Sequence, residues 1–412
     1  MKNFLSGFPE KDTLLEWYSL NGSNLVYDVN GHIHSPYSFS AFNNLTQAFQ
    51  LASAERVNIL GINDFYTTRG YKEFYDISRK FRIFPLFNIE FMGLIKDFQK
   101  NGIQINDPNN PGRIYFSGKG LDYPVHNNGK SHNKLERLIE DSHSQIREMV
   151  IKASDLLNSL DENLYLDFDE ILNNYTRGMV RERHIARVLR IKIFEKYKST
   201  EERKEFLKKL YGGRDSSADI NNNSALENEI RGILLKSGGA AFVPEDPKAF
   251  LELDEIIRII VDLGGIPCYP VLLDGPNGYI TEFERDYEGL YHELSRRKIS
   301  CIELIPGRND FNRLKEFVHF FHARNFIIMF GTEHNTPELT PLKVDAREGI
   351  PLDEELQIIS FESACVTAAH QYLRANGEEG FIDKDGSPKI RNKEEFIELG
   401  NAVIEYFIQN KL

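Results

Sequence analysis

From residue 25 onward the chain alternates short apolar runs with amphipathic helical stretches, and this constrains the fold more than any single motif does. Strand-like runs fall at 25–34, 58–64, 82–95, 113–116, 265–269, 300–305 and 326–330. Helical segments at 44–57, 70–81, 252–263, 281–298 and 311–324 carry apolar residues at i, i+3 and i+4, the spacing of a helix with one buried face. Strands joined by helical crossovers pair in parallel, so the pattern predicts an α/β barrel or a doubly wound sheet.

The alternation breaks between residues 131 and 250, where the chain reads as helical and very polar, which predicts an α-helical insertion between two barrel strands. Residues 1–24 read as an N-terminal extension. Beyond residue 340 the chain runs through Pro341 and Pro351 into helices near 358–375 and 392–409, a helical C-terminal extension (341–412) on the same body, since no long flexible linker precedes it. Nothing resembles a membrane span, and the first residues lack an apolar signal core, so the expected location is cytoplasmic. Cys268, Cys301 and Cys365 are too scattered for a disulfide framework or a thiolate metal site and are expected to be buried apolar residues.

A formal net charge of −12 argues against a general nucleic-acid binder. Residues 181–214 depart from it, with 12 Lys or Arg against 5 Glu. Such a run reads either as a solvated helix face or as an RNA-binding surface.

Functional residues in parallel α/β folds gather at the carboxyl ends of strands. His32 and His34 end the first strand two residues apart, so both imidazoles project from one face. The alternative is two histidines capping a turn. Asn63-Asp64 ends the second strand, Glu90 lies in the third, and Gly331-Thr332-Glu333-His334 follows the last. A carboxylate in an apolar strand is costly unless a cation or an arginine answers it, which singles out Glu90. For His334 alone, a satisfied core histidine is the competing reading. Two His and a carboxylate suffice for a zinc, manganese or iron centre with open positions. Arg113, Lys119 and Arg308 are candidate anion-binding cations, the competing reading for each being an exposed loop charge. His126, His132 and His143 read as solvated histidines.

Taken in order, His32-Ile33-His34-Ser35, Gly61-Ile62-Asn63-Asp64, the Glu90 strand, Gly264 to Pro270 and Gly331 to His334 resemble the motifs of the PHP (polymerase and histidinol phosphatase) superfamily. Arg181 to Leu189 and Ala241 to Pro244 look like the helical insertion of its nucleotide phosphatase and RNase-like branch. The resemblance covers residues 25–340. It implies a distorted (β/α)7 barrel and phosphoester hydrolysis by a metal-activated water on a small, phosphorylated substrate. It also exposes departures. Family ligand positions align with Phe39, Phe65, Tyr115 and Tyr269, and phenylalanine cannot coordinate. Glu333 and His334 are adjacent where the family spaces its Asp and His by two. His334 is the expected inward residue, with Glu333 as an addition. The set that remains, His32, His34, Glu90 and His334, implies one principal divalent ion where the family holds three. Asp64 or His334 would then orient the water or carry its proton. The same departures support a second reading, in which Phe39, Phe65, Tyr115 and Tyr269 line a pocket for a sugar- or nucleotide-like ligand on a barrel that no longer catalyses.

Overall fold

The computed structural model describes residues 3–23, 25–125, 129–246, 250–275 and 278–410. Its strands are β1 (Asp28–Ile33), β2 (Val57–Phe65), β3 (Phe84–Leu94), β4 (Arg113–Lys119), β5 (Leu251–Glu252), β6 (Ile266–Pro270), β7 (Cys301–Leu304) and β8 (Ile327–Phe330). They form one sheet in the order β1-β2-β3-β4-β6-β7-β8, with the two-residue β5 added beside β3. A parallel bridge between Ile33 and Glu333 brings β1 to the end of β8 and nearly closes the sheet into a barrel. His34 N donates to Glu333 O at 2.8 Å and Glu333 N to His32 O at 2.9 Å across this seam. Glycine permits the approach: a Cβ on Gly331 would lie 2.3 Å from the Cβ of His32.

The expected all-parallel pairing fails at β4, which runs antiparallel to both β3 and β6. The connector, residues 95–112, folds back on itself instead of crossing over: Ile95 N donates to Gly112 O at 2.8 Å and Gly112 N to Ile103 O at 2.9 Å, and its one helix, Lys96–Lys100, has five residues. The chain therefore re-enters the sheet from the end it left, with Leu94 opposite Arg113. After β4 it enters the 31-residue helix Lys130–Leu160, about 46 Å long.

Leu135, Leu138 and Ile139 on this long helix join the core between the barrel and its outer helices. From Ile146 on, the chain contributes to a separate apolar cluster built from residues between 146 and 243. Helices Phe168–Tyr175, Glu182–Lys196, Thr200–Leu210 and Asn223–Ile230 surround that cluster. The predicted single helix over 281–298 is two, Glu282–Arg285 and Tyr287–Arg296, broken at Asp286, whose side chain accepts from Gly289 N as an N-cap.

Helices Glu354–Ala375 and Lys393–Gln409 lie under the barrel, where Phe361, Val366, Tyr372 and Phe407 pack with Ile59, Phe84, Ile266 and Ile327 from the amino-terminal ends of the strands. The three cysteines are buried, as expected. Among the described residues no helix is long and apolar enough to cross a membrane.

Candidate metal centre

At the carboxyl end of the barrel His32, His34 and Glu90 meet. Their relative exposures are 2%, 0% and 3%. The two Nε2 atoms are 3.2 Å apart, and Glu90 Oε2 lies 3.0 Å from His34 Nε2 and 3.9 Å from His32 Nε2. Among the described residues this is the one group of three His, Cys, Asp or Glu whose ligand atoms come together in this way.

The outer shell fixes the ring tautomers. Ser38 Oγ donates to Asp64 Oδ1 at 2.6 Å, so its oxygen is left to accept from His34 Nδ1 at 3.1 Å. Glu303 Oε1 lies 3.1 Å from His32 Nδ1 and offers only an acceptor there. With both Nδ1 atoms protonated, both Nε2 atoms present lone pairs to the space that Glu90 Oε2 also faces. The amide nitrogen of Asn63 is 3.2 and 3.0 Å from the two ring nitrogens of His32, nearly equidistant and so off the axis of either lone pair. Glu90 Oε2 has no hydrogen-bond partner despite the nearby imidazole. Two imidazole lone pairs and a buried carboxylate oxygen converge here, an arrangement that a cation, or a proton on Glu90, satisfies.

The electrostatics agree. Burial lowers the pKa of both histidines, His34 to about 3 with the Arg181 charge adding to the effect. The imidazoles are neutral, not imidazolium partners for Glu90. Burial also raises the Glu90 carboxyl to about 7, against the pull of His32. Burial would raise Glu303 as well, but His32 and Lys119 outweigh it and hold Glu303 down to about 2.

Asp64 points away from the centre. Its oxygens accept from Ser35 N at 2.7 Å, from Ser35 Oγ and from Ser38 Oγ, so it supports His34 through Ser38 and has no free oxygen for a proton shuttle. His334 is not the inward residue expected. Glu333 and His334 both adopt left-handed backbone, φ 69° and 54°, where the chain leaves the β1 seam. That turn aims His334 at Thr332 Oγ1 (2.8 Å) and Thr340 O (2.9 Å) and stacks it on Phe42, so both ring nitrogens are used. Glu333 instead lines the pocket above the centre, paired with Arg308.

That pocket has a volume of about 890 Å³ and runs from the barrel mouth into the helical insertion. Arg113, Tyr115 and Arg308 line it. Arg113 is engaged by Glu245 and sits over the Phe250 ring. Lys119 and Tyr269 are elsewhere. Lys119 is fully buried in the barrel floor, paired with Glu303, and Tyr269 is 2% exposed with its hydroxyl donating to Glu284 at 3.1 Å. Phe39 and Phe65 carry cations: the guanidinium of Arg181 lies 4.3 Å from the Phe65 ring, and that of Arg187 lies 4.5 Å from Phe39. Phe65 also stacks on His34 at 4.9 Å.

The pocket includes residues that sequence reasoning passed over. Arg181 and Arg183 enter it from the insertion, and Glu303 and Asn63 lie at the centre itself. Glu303 was discoverable by the argument applied to Glu90, a carboxylate within the apolar run Cys301-Ile302-Glu303-Leu304. His143 is not solvated; it is 4% exposed and accepts from Val180 N at 3.0 Å. His132 is partly exposed beside Glu136, and His126 lies outside the described residues.

Five of the twelve basic residues of the stretch are paired with carboxylates from its surroundings. Arg187 and Arg190 share Glu227, Lys192 meets Glu170, Lys196 meets Asp161 and Lys208 meets Asp215. All four of these carboxylates, Glu227, Glu170, Asp161 and Asp215, lie outside the stretch, where a count over 181–214 does not see them.

No protein-family model matches this chain, and no curated protein sequence does. Solved structures share its fold. A protein provisionally named a metal-dependent phosphoesterase, from Bifidobacterium adolescentis, is 13% identical, with a TM-score of 0.51 over 80% of this chain and 94% of its own. An amidohydrolase from Chromobacterium violaceum, solved with bound sulfate and no metal, is 14% identical, with a TM-score of 0.50 over 81% of this chain and 96% of its own. The likeness is one of fold.

Proposed function

We propose that this chain is a metal-dependent hydrolase of the PHP type that holds one divalent ion on His32, His34 and Glu90 and acts on a small phosphoester. The observation that carries the reading is the convergence of two Nε2 lone pairs and an unpartnered carboxylate oxygen in a buried cavity floor. The folds of the two structural neighbours support it, as do the names they carry. A zinc, manganese or iron ion there would supply Lewis acidity and a hydroxide nucleophile at neutral pH.

The chain's own residues then bind and orient the substrate. Arg181 forms no ion pair among the described residues, so its planar fork is free to take two oxygens of an anion, while Phe65 holds it in place. Arg183 and Arg308 flank the same space. Apolar side chains of the insertion, Ile146, Met149, Leu235 and Phe242, line the far wall and suit an organic leaving group.

The test is metal analysis with a phosphoester panel on wild type and His34→Ala. Protein stripped by chelator should regain about one manganese, zinc or iron per chain together with hydrolysis, and His34→Ala should lose both. Ligand binding by Arg181 and the aromatic residues without any metal uptake would favour the second reading, a barrel that binds and does not catalyse.

A further inference from the structure

Lys119 is a lysine without water. Its side chain has 0% exposure, and its ammonium donates to Glu303 Oε1 and to Asn63 Oδ1, the latter at 3.2 Å. Taking both ions of such a pair out of water is costly, and apolar residues of similar size serve stability as well or better. Stability alone therefore does not account for the pair. Its place in the fold is more informative. It joins β4, through Lys119 and Ser117, to Asn63 on β2, Glu303 on β7 and, through Glu303, to His32 on β1.

We infer that Lys119 is a positioning residue which, by filling Glu303 with donors, selects the tautomer of His32 that leaves Nε2 bare. The chemistry is one of hydrogen-bond direction. An ammonium has three donors and no acceptor, and Ser117 Oγ donates to the other Glu303 oxygen at 3.3 Å. Glu303 thus faces His32 Nδ1 as an acceptor and keeps a proton on that nitrogen. An uncharged acid or amide in its place has a donor to offer. It can turn that donor toward Nδ1, which moves the ring proton to Nε2 and blocks the ligand position. Lys119 does not line the pocket and contacts none of the three proposed ligands; it reaches His32 through Glu303 and through Asn63, whose amide nitrogen lies 3.0 Å from His32 Nε2.

The inference rests on the proposed use of His32 as a ligand, yet it can be tested without any ion. In the metal-free protein with 15N-labelled histidine, long-range proton–nitrogen spectra report which ring nitrogen carries hydrogen. Wild type should show His32 protonated at Nδ1. Glu303→Gln should shift it to Nε2–H or to a mixture. Lys119→Met leaves an unpaired carboxylate and risks misfolding, so the double variant Lys119→Met with Glu303→Gln, uncharged and close in shape, is the companion. It should fold, show the altered tautomer and bind manganese or zinc about 10–100-fold more weakly. A His32 ring protonated at Nε2 in wild type, or unchanged in a folded double variant, overturns the inference. Wild type with the expected tautomer but no metal uptake overturns the proposed hydrolase and leaves this arrangement standing.

Discussion

Glu90 sits where a charge is least welcome, at 3% exposure with one oxygen unpartnered, and that discomfort is the strongest sign of what the barrel floor is for. A site kept for binding carries a cost that a substitution can relieve. Glu90→Gln should therefore raise the stability of the metal-free protein by about 1–3 kcal/mol while lowering metal affinity at least tenfold. Chemical denaturation with chelator present, alongside calorimetric metal titration, separates the two effects. Loss of stability in Glu90→Gln would show that the carboxylate has a partner after all. The convergence of His32, His34 and Glu90 was legible in the sequence because alternation in a strand and the cost of a buried carboxylate are local rules. His334 was not, because its direction depends on two successive left-handed residues at the end of a barrel seam. Lys119 was misplaced for a similar reason. A lysine after an apolar run reads as the start of a loop, and only the antiparallel course of β4 carries it into the floor.

At the scale of elements, the helices and strands were legible from periodicity, while the direction of β4 follows from a connector that folds back on itself between Ile95 and Gly112, which periodicity does not encode. Tyr269 shows a related failure. Its strand was correctly placed, but its side chain faces outward to Glu284, which also accepts from Leu272 N at 2.8 Å and Thr281 Oγ1 at 2.9 Å, tying the loop after β6 to the helix Glu282–Arg285. Burial raises the Glu284 carboxyl from 4.5 to about 7. The folded state then holds a proton between these values that the unfolded state releases. Stability from this group is full below pH 4.5 and is lost as pH rises through 7, an effect of about 3 kcal/mol. Glu284→Gln should flatten that part of the stability profile, measured by urea unfolding between pH 4.5 and 7.5. An unchanged slope would assign the pH dependence to other groups. A second element-level constraint lies between helices Glu354–Ala375 and Lys393–Gln409. A Cβ on Gly400 would fall 1.8 Å from Cys365 O, a backbone atom that cannot step aside. Gly400→Ala should cost about 1–3 kcal/mol by thermal or urea unfolding, and no loss would mean that the helices separate freely.

For the whole molecule, the question is which parts can be removed. The local charge of residues 181–214 suggested an RNA-binding surface, but pairing with Glu227, Glu170 and Asp161 spends part of that charge internally, so RNA affinity that falls steeply with salt is not expected of this face. The C-terminal extension poses the opposite case. It looks dispensable from its position past the last barrel strand, yet its first helix buries Phe361, Cys365, Val366 and Tyr372 against the amino-terminal ends of the strands. Gln371 accepts from Phe87 N at 3.0 Å, and Ser363 accepts from Ile328 N at 2.8 Å, so two strand amides depend on it. Without the two helices, Ile59, Phe84, Ile266, Cys301 and Ile327 would face water together, an apolar patch of the kind that drives aggregation. A chain ending at residue 352 should therefore be insoluble or unfold without cooperativity, and should not bind metal even though His32, His34 and Glu90 remain. Circular dichroism melts and metal analysis of that fragment decide the matter. A soluble, cooperative, metal-binding fragment would show that the upper half of the barrel, closed at Ile33 and Glu333 and packed under its insertion, is enough to hold the centre by itself.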